Sequence, residues 1–142
     1  MTREEAKELL QLHSFSHPNA HSDPRAERGF LGSLRPYQGS LIPANFHGVM
    51  AALVTLATEL EQPSLDREVV SAVWGITHLA RAWGLEPEGM LRRNNLISEE
   101  DIETLASWVD AISYATMMLL DGAGLEEALE PYHEIQSRSL VE

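Results

Sequence analysis

Apolar residues along this chain recur mostly in steps of three and four, the spacing of amphipathic helices, and nowhere in the sustained alternation of a half-buried strand. Thr2 with Glu5 three residues on forms a capping box. Ala6, Leu9, Leu10 and His13 then mark one face of a helix ending near His13. Pro43 opens a second helix in which Phe46, Val49, Met50, Leu53, Leu56, Ala57 and Leu60 recur at helical spacing, with Ala51, Ala52 and Val54 making the opposite face weakly polar. That helix is expected near the centre of the core.

Pro63 and Ser64 break the chain. Val69, Val70, Val73, Trp74, Ile76, Leu79, Ala80 and Trp83 predict the next helix, with Gly84 as a left-handed C-terminal cap. A short helix is expected over 88–93. Ser98 and Asp101 read as a second capping box that starts the longest helix, along which Ile102, Leu105, Val109, Ile112, Thr116 and Leu119 form one stripe and Trp108, Ala111, Ala115 and Met118 a flanking one. Gly122 and Gly124 end it. A last short helix over 125–130 is expected to stop before Pro131, leaving 133–142 as a frayed tail.

Residues 14–42 break this rhythm. Asp23 and Pro24 read as the N-cap and first residue of one brief helical turn, but the rest is irregular, and loops of this length are uncommon in compact domains. Phe15, Phe30, Leu31, Leu34, Tyr37, Leu41 and Ile42 recur through it. Each large apolar side chain fully buried contributes about 2 kcal/mol, so the segment is expected to be an ordered arm covering the bundle. The fold class predicted is all-α: an irregular or orthogonal bundle of four to five main helices with a long ordered N-terminal covering segment, residues 1–142 forming one helical domain.

Composition fits one core: 44% of residues are apolar and 23% charged. There are no cysteines, which excludes disulfides and thiolate ligands or nucleophiles. The formal net charge of −12, from 22 acids against 10 lysines and arginines, repels polyphosphate, so nucleic acid is not an expected partner. The stretch 36–58 has no charged residue, yet its continuous apolar part is too short to span a bilayer. With no signal-peptide pattern at the start, the expected location is the cytoplasm.

Three histidines, His13, His17 and His21, are spaced by four, which on a continuous helix would align three imidazoles toward one zinc ion. Pro18 argues against that continuity and favours loop positions, from which Asp23 or His47 would have to complete a site. No HExxH pattern is present and no cofactor is expected.

Anion or partner binding falls to Arg28, Arg35 and His47. Two guanidinium forks flank the apolar residues that pin the arm, and the helix from Pro43 supplies unpaired amides beside them. The competing expectation is that these arginines pair with the chain's own excess of carboxylates.

Catalytic signals are weaker. Neither Gly32-Ser33 nor Gly39-Ser40 lies in a GxSxG context. His78 reads as a core-edge histidine bonded to a neighbour, Asp110, Tyr114 and Asp121 as an outer face, and Trp74, Trp83 and Trp108 as core anchors. The expectation is a small acidic binding or regulatory protein acting through a protein partner, with self-association left open. The alternative is a metal- or anion-binding enzyme or sensor built on residues 13–47.

Overall fold

A computed structural model describes residues 1–141. The chain is an all-α bundle, and among the described residues five helices reach seven residues or more. They are α1 (Arg3–His13), α3 (Pro43–Leu60), α4 (Arg67–Ala80), α6 (Glu99–Leu120) and α8 (Glu130–Val141), joined by the short α2 (Pro24–Glu27), α5 (Met90–Arg93) and α7 (Leu125–Ala128). None of them is long and apolar enough to cross a membrane.

Four helices make the frame. α1 packs on α3 and α4, and α6 packs on the same two from the other side, so α3 and α4 occupy opposite corners. One main core results, with Leu10, Phe46, Met50, Leu53, Leu56, Ile76, Leu105, Ile112 and Leu119 fully buried. Residue patterning explains this: α3 buries Phe46, Val49, Met50, Leu53, Leu56, Ala57 and Leu60, the same positions that the three-and-four spacing marks. The expected central place of α3 holds, although Val54 on its outer face stays exposed.

Thr2 and Glu5 form the complete capping box on α1. At the other end, the last carbonyls of α1 are taken by the covering segment: Ser14 N–H donates to Leu10, Phe15 to Leu12, Ser16 and His17 to Gln11, and Leu31 to His13. Orphan helix carbonyls are satisfied by the arm itself, which is why a mostly irregular segment can lie against the bundle. Phe30, Leu31 and Leu34 enter the main core, and Leu12, Ala20 and Ala26 form a satellite cluster beside Phe15. The arm is thus a fixed covering layer.

Five local expectations are corrected. Gly84 is not a left-handed cap: it sits inside a π turn, Arg81–Leu85, that continues α4, and a Cβ there would lie 2.5 Å from Leu105 Cδ2, so close packing on α6 is what requires glycine. The Ser98 box is only half formed. Ser98 Oγ accepts from Asp101 N–H, but the Asp101 carboxylate accepts from the Tyr37 hydroxyl. The short helix at Leu125 ends at Ala128, and Pro131 does not stop the chain, because it falls in the first turn of α8, where a missing N–H costs nothing. The tail expected to fray is therefore helical through 141, while residue 142 lies outside the described residues. Trp74 is not a core anchor: it is 72% exposed, whereas Trp108 is 7% exposed. His78, also on the outer side of α4, is exposed and makes no side-chain hydrogen bond among the described residues.

Candidate functional site

The residues singled out from the sequence separate into distinct environments. His13 closes α1 and is buried, and its Nδ1 accepts the Phe30 backbone N–H at 2.9 Å. Burial disfavours the imidazolium and pushes the His13 pKa down to about 4. His17 uses Nδ1 to accept from Asn19 N–H, and the His21 ring meets Phe15 edge-on at 5.3 Å. Among the described residues no three His, Asp or Glu side chains are placed to hold a metal ion. Pro18 separates the rings as the local turn chemistry requires: Asn19 carbonyl accepts from the Ser22 and Asp23 amides, and Asp23 then caps α2.

Among the described residues Arg28 and His47 line different cavities, and Arg35 lines neither of these two. Arg35 lays its guanidinium over Trp83 at 5.4 Å, a cation–π contact that ties the arm to the π turn. His47 Nδ1 bonds the Tyr132 hydroxyl at 2.7 Å, and Tyr132 also meets Phe46 edge-on, so this pair fastens α8 to α3. Neither Arg28 nor Arg35 joins an ion pair among the described residues, against the expectation that the chain's carboxylates would claim them. Arg25 is the arginine of the arm so claimed. It bonds Glu8 at 2.7 Å and Asp23 at 2.9 Å, which holds the Asp23 carboxyl below its ordinary range.

Arg28 instead borders a cavity of about 360 Å³ between α1, α2 and α3, lined by Leu9, Leu12, His13, Pro24, Arg25, Ala44, Asn45 and Gly48 as well. Asn45 Nδ2 donates to the Arg28 carbonyl at 2.9 Å and fixes that corner of the arm on the first turn of α3. Two of the marked residues, His13 and Arg28, are thereby brought together. Asn45 and Gly48 are absent from the sequence-based candidates, since a polar residue and a glycine in an apolar helix carry no spacing signal of their own.

A second surface lies on α4. Its inner positions Val69, Ala72, Val73, Ile76, Thr77 and Ala80 are buried, which leaves Arg67, Ser71, Trp74 and His78 as an outward stripe. Leu65, Arg67, Val70, Ser71 and Trp74 line an open depression of about 480 Å³. The sequence did hold a signal for this: Trp74 occurs at helical spacing with Arg67, Ser71 and His78, not only with the valines. No family model, no curated protein and no solved structure matches the chain.

Proposed function

We propose that the chain is a cytoplasmic protein-binding module that docks an acidic amphipathic segment of another protein on the outer face of α4. The observation that carries this reading is the exposure of Trp74, 72% of whose surface meets solvent. Indole is a large, stiff anchor and is enriched where partners bind, whereas a tryptophan with no packing role adds apolar surface that hinders solubility. Leu65 and Val70 extend the apolar surface beside it.

Charge selects the partner. In a chain of net charge −12, Trp74 stands midway between two arginines, Arg67 and Arg81. Arg67 makes no ion pair among the described residues, and Arg81 has one exposed partner, Asp110, at 3.3 Å. Two copies pairing antiparallel about Trp74 would set Arg67 of one against Arg81 of the other, a like-charge contact. A segment with acids flanking a large apolar residue suits both ends, and the overall negative charge disfavours nucleic acid.

Panning a random-peptide library against the protein, with Trp74→Ala as counter-selector, tests this. Enriched peptides should place Asp or Glu around a large apolar residue and lose binding to Arg67→Glu. Circular dichroism should show Trp74→Ala as helical as the parent. Enrichment of basic peptides, or none that depends on Trp74, would overturn the reading.

A further inference from the structure

We propose that the cavity between α1, α2 and α3 is a binding site for a small carboxylate with an apolar body. It is separate from the α4 stripe and does not depend on it.

The site is built around a donor without an acceptor. His13 is 8% exposed, and its Nδ1 accepts a backbone N–H, a group that can only donate. The neutral ring therefore carries its hydrogen on Nε2. Among the described residues nothing accepts from Nε2, which stays open to the solvent of the cavity and so is free to donate to a ligand there. Nε2 faces Gly48, where an added Cβ would stand 3.3 Å away, and both residues line the cavity.

Charge in the lining has one sign. Arg25 and Arg28 border the cavity and no carboxylate does; the acids that neutralise Arg25, Glu8 and Asp23, lie outside the lining. Among the described residues Arg28 joins no ion pair, and Asn45 anchors its backbone. Ala44 and Asn45 bring the first turn of α3, the positive end of an 18-residue helix, to the same wall. The carbonyls at the end of α1, which would otherwise oppose an anion, are already occupied by amides of the arm.

Those groups select a carboxylate: the fork of Arg28 takes its two oxygens, and His13 Nε2–H donates to one of them. Leu9, Leu12, Pro24 and Ala44 supply the apolar remainder of the wall. A volume of about 360 Å³ holds a ligand of metabolite size.

Isothermal titration and histidine-ring NMR with acetate, butyrate, hexanoate and inorganic phosphate test the assignment. Saturable binding is expected for the carboxylates, tightening by up to about fourfold for each further CH₂ that enters the cavity. His13 ring signals should move on binding. Arg28→Gln should weaken hexanoate by about tenfold, the loss of one charge-assisted contact.

Gly48→Ala should abolish binding by filling the space before Nε2. It should still fold, because alanine improves the helix at an interior position while the His13 ring gives way by a few tenths of an ångström. No saturable binding, phosphate binding as tightly as hexanoate, or full binding by Gly48→Ala would each overturn the proposal. Trp74→Ala should bind hexanoate like the parent, so this site and the α4 surface stand or fall separately.

Discussion

The Tyr37 hydroxyl donates to the Asp101 carboxylate, joining the covering arm to the first turn of α6 across 64 residues of sequence. That bond displaces the capping interaction that Asp101 would otherwise return to Ser98. It makes the arm and the longest helix one mechanical unit.

Tyr37→Phe should cost about 1.5 to 3 kcal/mol, the net worth of a hydrogen bond to a charged group, measured by urea unfolding at neutral pH. Burial and the adjacent Asp101 push the Tyr37 pKa up to about 12. The folded state therefore favours the protonated phenol, and this contribution is whole below pH 10 and lost as pH rises toward 12. The parent should lose stability over that window more steeply than Tyr37→Phe; equal slopes would show that the bond contributes nothing.

Asp66 caps α4 through the Glu68 N–H and receives Arg3 at 2.6 Å and Lys7 at 2.8 Å from α1. Lys7 first, then Arg3, hold its pKa down to about 2. Its contribution is present above pH 3.8 and fades as pH falls toward 2. Asp66→Ala removes cap and ion pairs and should cost about 1 to 2 kcal/mol; Asp66→Asn keeps the cap and should cost less. Thermal melts of the two variants at pH 7 decide it, and equal losses would refute the division.

His13 should titrate far below an ordinary histidine. Its pKa, lowered from 6.5 to about 4 by burial, means that the neutral ring is the folded form. Its contribution to stability is full above pH 6.5 and is lost as pH falls toward 4. Ring NMR on the ligand-free protein should show no protonation of His13 at pH 5.5. A midpoint near 6.5 would contradict its burial.

Glycines 32 and 84 mark two close approaches of different severity. At Gly32 a Cβ would lie 2.1 Å from the Ala26 carbonyl oxygen and 2.6 Å from that of Glu27, both rigid backbone. At Gly84 the obstacle is the tip of the Leu105 side chain. Both alanine variants should lose about 1 to 3 kcal/mol in denaturant melts, Gly32→Ala the more. The reverse order would place the tighter packing at the π turn.

Local physics wrote much of this molecule into its sequence. Thr2 and Glu5, Asp23 and Pro24, and Ser98 each announce a helix start because a capping oxygen needs only its own next turn. The spacing of apolar residues in α3 and α6 names their buried faces for the same reason, whereas α1 also buries Leu12, which packs on Ala20 and Ala26 of the arm. Gly122 and Gly124, both at positive φ, end α6 as backbone sterics dictate.

What depends on partners distant in sequence was decided by the tertiary structure alone. Trp74 has the composition of a core residue and is exposed because α4 turns its valine face to α1 and α6, which leaves the indole in solvent. Gly84 became a packing site because Leu105 crosses it, and α8, which Pro131 does not interrupt because it falls in the first turn, is tied to α3 by the His47–Tyr132 bond. His13 and Arg28 meet at one cavity, while Arg35 and His47 leave for Trp83 and Tyr132, since the path of the arm over the bundle, not its spacing of charges, sets which side chains converge.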